Sequence, residues 1–227
     1  MPDDPVAVMS KAWIYQAEGN LHEAAKLLNN VSAQTDSPEI LAVKIAQLRL
    51  ERNFREATRL LQSPLAQFHS GGWYSPTLSV ALAFTQRLAG DLADSKVTAE
   101  QMRNTLKELF RDQPDDEYLA AGLSQAYAVL GEKDSALKAA EQAIMLLPSA
   151  KDRQWGPGLE ENLALIEATV GENSRAIKTL TQLLHMHYNS YIYGEHPITP
   201  ALLRLDPLWD PLRGDPAFQK LCEEKQP

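Results

Sequence analysis

Three histidines near the C-terminal end are the side chains best suited to metal chemistry. His185, His187 and His196 could each supply a ring nitrogen. His185 and His187 are two positions apart, a spacing that points side chains to different faces of a helix. A metal site also needs a fuller ligand set than these three residues provide. We therefore expect surface or partly buried histidines in a closing loop, and the metal site is kept as an alternative hypothesis.

The sequence contains one partial match to an enzyme motif and no complete one. His22 and Glu23 begin a segment like the HExxH helix of zinc proteases, but Lys26 stands where the second histidine is needed. The sequence contains no GxSxG elbow, Walker loop, dinucleotide fingerprint or kinase HRD or DFG motif. We therefore expect a protein that is not an enzyme, with no catalytic residues, no metal and no cofactor.

The best-defined structural element is a helix–turn–helix unit from Leu119 to Pro148. Apolar and small residues recur at intervals of three and four in both halves, which is the helical period. Gly131 stands at the turn, where glycine accepts the left-handed backbone found past many helix ends. The small side chains of Ala136 and Ala140 allow the two helices to approach closely, and Pro148 ends the second helix.

The same pattern recurs along the chain in two columns of residues. The turn column contains Gly19, Arg52, Gly90, Gly131 and Gly171, and the small-residue column contains Ala24, Ala57, Ser95, Ala136 and Ala176. This order of residues resembles the tetratricopeptide repeat (TPR), which has a period of 34 residues. The resemblance covers most of the chain and implies an all-α fold, an α–α superhelix (TPR solenoid) of about five helical-hairpin repeats.

The chain is expected to form a single TPR solenoid domain over residues 1–227. The predicted repeats span residues 5–37, 38–64, 75–113, 115–149 and 157–187, with a C-terminal cap at 198–224. We expect an irregular stretch from Ser63 to Ser75, a third-repeat helix that continues to Phe110, and a turn at residues 155–158.

The C-terminal region departs from the repeat pattern. Residues 185–200 are rich in aromatic side chains and predict a loop laid over the solenoid. Asp206, Asp210 and Asp215 each precede a proline, which predicts three helix starts. The apolar residues between and after them are expected to cover the last repeat, as terminal repeats require. The stretch LLRLDPLWDPLRGDPAFQKL also resembles the end of TPR arrays in large bacterial signalling proteins such as serine/threonine kinases and cyclases, which implies a sensory or scaffolding module.

The TPR resemblance implies a concave face built from the first helix of each repeat. Through the repeat register, the candidate partner-binding residues are Trp13, Gln16, Arg49, Phe84, Arg87, Tyr118, Gln125 and Asn162. Aromatic and arginine side chains are common anchors of protein interfaces. Arg49 and Arg87 share one column in neighbouring repeats, so we expect them to lie side by side and to suit a carboxylate or phosphate. Two alternatives stay open: the aromatic rings fill the bend between repeats, and the arginines pair with nearby acids such as Glu51 or Glu56.

The expected function is binding of a protein or peptide partner, with acidic character favoured by the arginines. The alternative is a structural spacer or self-association module. A net charge of −8 argues against a nucleic-acid partner and against anionic membranes. The N-terminus lacks the pattern of a signal peptide and Cys222 is the only cysteine, so we expect a cytoplasmic location.

Overall fold

The structure, a computed structural model, describes residues 5–29, 38–63, 74–194 and 196–224. Its helices are α1 (Pro5–Glu18), α2 (Leu21–Asn29), α3 (Pro38–Leu50), α4 (Phe54–Leu61), α5 (Tyr74–Ala89), α6 (Leu92–Asp112), α7 (Glu117–Leu130), α8 (Lys133–Leu146), α9 (Gly156–Thr169), α10 (Asn173–Leu183), α11 (Pro200–Leu205), a 3-10 helix (Pro207–Leu212) and α12 (Pro216–Glu223). The described residues form no β-strand beyond a single bridge between Ser190 and Gly194. None of the described helices combines the length and hydrophobicity that a bilayer-spanning helix needs.

Helices that follow one another in sequence pack against one another. From α1 to α10, each odd-numbered helix pairs with the helix that follows it, and successive pairs are joined by contacts such as α1 with α3, α4 with α5, α6 with α7 and α8 with α9. The all-α prediction is therefore confirmed, and the packing is that of an α–α superhelix. The last residues of the first predicted repeat and most of the stretch from Ser63 to Ser75 lie outside the described residues.

The turn column is confirmed by the backbone. Gly19, Gly90, Gly131 and Gly171 have φ angles of 79°, 87°, 77° and 85°, and Arg52 has a φ of 58°. A left-handed residue reverses the chain between two helices while satisfying the last carbonyls, and glycine adopts it at least cost. The turn therefore keeps the same conformation within each pair even where arginine replaces glycine.

The small-residue column is also confirmed. Ala24, Ala57, Ser95, Ala136 and Ala176 are at most 1% exposed, each in the first turn or two of the second helix of its pair. A larger side chain there would push the two helices apart, because protein interiors are close-packed. Ser95 also satisfies its hydroxyl by donating to the carbonyl oxygen of Ala83 at 2.7 Å.

Two local predictions have different outcomes. The second helix of the third pair, α6, does continue past Phe110, to Asp112. The predicted turn at residues 155–158 is confirmed only at Trp155 and is wrong for the other three residues, because α9 begins at Gly156 and includes Pro157 and Gly158. Proline is compatible with the first turn of a helix, where its missing N–H has no intrahelical acceptor.

The C-terminal region caps the last pair as predicted. Trp209, Leu212, Phe218 and Leu221 are buried in one apolar core with residues of α9 and α10. Asp206 and Asp215 are helix N-caps, and their carboxylates accept from the backbone N–H of Leu208 and Ala217. The third predicted start, at Asp210, is wrong: Asp210 lies inside the 3-10 helix, and its carboxylate binds the guanidinium groups of Arg52 and Arg213 instead.

Candidate functional site

The predicted binding face is covered by the protein's own chain. We call residues 186–194 and 196–212 the C-terminal segment; it runs along the first helices of several pairs. Thr199 donates to the carbonyl oxygen of Ala17 in α1, at 2.6 Å, and Asp206 binds Arg49 of α3. Further along, Tyr191 stacks on Tyr118 of α7. The face that the sequence assigned to a partner is thus largely an intramolecular interface.

Arg49 and Arg87 do not form a joint anion site. Arg49 is in a bidentate salt bridge, with its Nε and Nη2 atoms 3.0 and 2.8 Å from Asp206 Oδ2, and its guanidinium lies 5.7 Å from the ring centroid of Tyr193. Arg87, in contrast, is exposed. The partner of Arg49 is neither of the nearby glutamates considered from the sequence, since Glu56 pairs with Arg59 and Glu51 accepts from Gln47. A carboxylate of the protein itself already fills the place of the expected acidic ligand.

The polar residues predicted for the face hold neighbouring helices together. Gln16 is buried and donates through Nε2 to the carbonyl oxygen of Val43 and to Gln47 Oε1, at 3.1 and 3.0 Å. Gln125 donates to Asn162 Oδ1 at 2.8 Å, and Asn162 donates to the hydroxyl of Ser124 at 3.0 Å. These bonds join α1 to α3 and α7 to α9, so the three side chains serve packing between pairs.

The predicted aromatic residues lie in three different environments. Phe84 is buried in the main core. Trp13 is half-buried; its ring contacts His196 edge-on at 5.9 Å, and a side chain at Gly194 would meet it at 3.2 Å. Tyr118 is half-buried and stacks on Tyr191, with 6.0 Å between ring centroids and 16° between planes. Tyr118 also lines an open cavity.

A buried polar network lies beneath the C-terminal segment. Ser190 donates to Glu161 Oε1 at 2.8 Å, and Tyr193 donates to Asp206 Oδ2 at 3.0 Å while accepting from Trp209 Nε1 at 2.9 Å. Burial raises the pKa of Glu161 to about 8. The hydrogen bond from Ser190 lowers this pKa but offsets only part of the effect of burial. All five side chains are at most 7% exposed, and Glu161 is not among the residues that line the large cavity described below, so this network fastens the segment to the superhelix.

One large cavity is left open beside the covered face. It has a volume of about 990 Å³ and lies between the turn from α6 to α7, the first turns of α7 and residues 190–194. That volume is at the upper end of the range for ligand pockets. We call it the acidic cleft, because its described lining residues include no lysine or arginine but four carboxylates. These belong to Asp112, Asp115, Asp116 and Glu117.

Aromatic rings also line the acidic cleft. Its lining includes Tyr118, Tyr191 and Trp155, and Trp155 is 39% exposed. Burial raises the pKa of Tyr118, and the nearby carboxylates of Glu117, Asp152 and Asp116 raise it further. The phenol therefore stays neutral in a negative local field.

Of the residues that line this cleft, Tyr118 alone is among the candidate binding residues predicted from the sequence. Residues 113–116 mark the boundary between the predicted third and fourth repeats, and the four carboxylates within residues 112–117 were the available signal. In the described part of the chain, no three side chains of the histidine, cysteine, aspartate and glutamate types come together in a way that could hold a metal ion. The metal hypothesis for His185, His187 and His196 therefore finds no ligand set there.

Comparison of the chain with protein-family models, with curated proteins and with solved structures gave no significant match.

Proposed function

We propose that this protein is a non-catalytic interaction module of the tetratricopeptide-repeat type. Two observations support the assignment of repeat type. The turn column keeps the left-handed backbone in every described helix pair up to α10, and the small-residue column is buried in each. One repeat cannot bury its own apolar face, which explains why the pairs stack in sequence order. The proposed place in a bacterial signalling protein depends on the sequence of the C-terminal cap alone.

The acidic cleft is the proposed binding site, and its open volume is the observation that carries this function. The inner face is unsuitable, because Arg49 is neutralised by Asp206 and Gln16, Gln125 and Asn162 are used in packing. The cleft instead has a volume of about 990 Å³, and its lining includes partly exposed aromatic side chains. Aromatic residues of this kind are common at protein interfaces. A peptide segment of a partner protein is the ligand that such a cleft on a helical repeat array would take.

The test is a selection that has no bias towards charge. A random dodecapeptide library displayed on phage is panned on the protein, and the recovered peptides are measured by calorimetry. We expect peptides that bind the wild type and lose about tenfold in affinity with Trp155→Ala, since truncating an aromatic anchor costs upwards of about 1 kcal/mol.

The matched control for this test is Met145→Ala. Met145 is 72% exposed on α8, outside the lining of the cleft, so its truncation also removes an exposed apolar side chain. Circular dichroism checks that both variants fold. The proposal is overturned when no recovered peptide distinguishes Trp155→Ala from Met145→Ala.

A further inference from the structure

We propose that the acidic cleft selects a cationic side chain, the guanidinium of arginine or the ammonium of lysine, from the partner peptide. This inference rests on the proposed function and specifies the chemistry of its ligand. It also reverses the acidic partner expected from the sequence, which depended on Arg49 and Arg87 acting together.

The aromatic wall of the cleft supplies π-systems that attract a cation. Tyr118 and Tyr191 both line the cavity and stack on each other, with 16° between their planes. Trp155 adds an indole ring that is 39% exposed. A cation over the face of such rings is attracted by their quadrupole, and the attraction increases when the site is partly shielded from water.

The carboxylates supply the second half of the recognition. Asp116 already uses one oxygen, which accepts from the backbone N–H of Leu119 at 2.8 Å, and exposed Asp112 lies 3.5 Å from Arg111. Asp115 and Glu117 accept no side-chain hydrogen bond and form no ion pair with another described residue. They are therefore the carboxylates best placed to pair with an incoming cation.

The charge of the whole protein acts in the same direction. Four carboxylates line the cleft without a lysine or arginine among its described residues, and the protein carries a net charge of −8. A cavity of one sign with low-dielectric walls concentrates ions of the opposite sign. The carboxylates do not converge into a group that could hold a metal ion among the described residues, and the aromatic rings favour an organic cation instead.

The experiment uses four short peptides that differ only in their central side chain. The probes are Ac-Ala-Xaa-Ala-amide peptides in which Xaa is arginine, lysine, citrulline or glutamate; citrulline matches arginine in shape but is neutral. Each is titrated into the isotope-labelled protein, and the indole N–H signal of Trp155 is followed by NMR. We expect the arginine and lysine peptides to bind about tenfold more tightly than the citrulline peptide, and less tightly when NaCl rises from about 50 to about 300 mM.

Two double variants separate a local charge effect from a global one. Asp115→Asn/Glu117→Gln removes two carboxylates from the cleft, and Asp94→Asn/Glu223→Gln removes two outside its lining. Glu117 and Asp94 both lie in the first turn of a helix, so each variant loses one such favourable charge. We expect at least about fivefold weaker arginine-peptide binding in the first variant and less than about twofold change in the second.

Failure of this inference can be told from failure of the proposed function. Equal binding of the arginine and citrulline peptides, no binding of any of the four, or equal behaviour of the two double variants overturns the charge assignment. Phage-selected peptides that lack lysine and arginine but still depend on Trp155 overturn it as well, while leaving the proposed function intact.

Discussion

Arg49 of α3 and Asp206 of the C-terminal segment form a bidentate salt bridge across 157 positions of the sequence. The side chain of Asp206 is 0% exposed and that of Arg49 is 11% exposed. The same carboxylate accepts from the hydroxyl of Tyr193 and from the backbone N–H of Leu208. One aspartate thus caps the 3-10 helix, orients a buried tyrosine and anchors the segment to the second helix pair.

Loss of Arg49 alone should strongly destabilise the protein. Arg49→Met leaves the buried carboxylate of Asp206 without its counter-ion, which costs about 3–5 kcal/mol of unfolding free energy. The double variant Arg49→Met/Asp206→Asn should be less destabilised than Arg49→Met. Urea denaturation followed by circular dichroism measures both. Arg59→Ala, which breaks an exposed pair with Glu56, is the control and should cost at most about 1 kcal/mol. An Arg49→Met variant as stable as this control would contradict the prediction.

Glu161 should make the protein less stable as pH rises from about 4.5 to about 8. The folded-state pKa is raised to about 8 by burial, whereas the ordinary value is 4.5. Between these values the unfolded chain has released the proton that the folded protein still holds, so unfolding is favoured with increasing pH; the effect is absent below 4.5 and constant above about 8.

The variant Glu161→Gln should remove this pH dependence. An amide keeps the acceptor for Ser190 and has no proton to lose, so the variant should gain stability relative to the wild type as pH rises, by up to about 1.4 kcal/mol for each pKa unit. Denaturant unfolding at a series of pH values gives the difference. Glu223→Gln, at an exposed carboxylate, is the reference. A Glu161→Gln profile parallel to the wild type would show that Glu161 is ionised in the fold.

Gly158 should tolerate no side chain. A Cβ atom there would lie 2.5 Å from the carbonyl oxygen of Asn189 and 3.1 Å from the backbone nitrogen of Tyr191. Gly158→Ala should therefore push the C-terminal segment off α9 and cost about 1–3 kcal/mol, although alanine is the better helix former. Gly214→Ala, where a Cβ meets no atom within 4 Å, should change stability by less than about 1 kcal/mol. Thermal unfolding compares them, and similar melting temperatures would refute the close contact.

The protein should be more stable with glycine than with alanine at position 52. Its φ of 58° is the one positive value at a non-glycine residue in the described chain. Arg52→Gly and Arg52→Ala both lose the ion pair with Asp210, so their difference isolates the backbone, and glycine should be favoured by about 1 kcal/mol. At Lys138, exposed inside α8, the order should reverse, with alanine favoured by about 1 kcal/mol. Unfolding free energies of the four variants decide this.

The repeating part of the fold could be predicted because its determinants are local. A left-handed turn residue and a small residue five positions later, such as Gly131 and Ala136, fix one hairpin without reference to the rest of the chain. The turn predicted from Gly156-Pro157-Gly158 was wrong, because glycine and proline also occur in the first turn of a helix. There Gly158 is needed for close approach to Asn189 rather than for a bend.

The site could not be predicted because it depends on distant contacts. Nothing near Arg49 in the sequence indicates that Asp206 neutralises it, and the repeat register placed Arg49 correctly on the first helix of its pair while leaving its partner undefined. The cleft combines an acidic run at a helix–helix turn with Tyr191, which comes from a segment outside the repeats. Only folding brings those two parts together.

The bond from Thr199 to the carbonyl of Ala17 joins residues 182 positions apart. An open repeat array has only neighbour-to-neighbour coupling, so its end units fray independently and folding can start anywhere. The contact between the C-terminal segment and α1 adds a long-range coupling to the contacts between neighbouring pairs. Closing so long a loop carries an entropic cost that must be met before these contacts form. We therefore expect this protein to fold more slowly than an open array of equal length and to unfold as one cooperative unit.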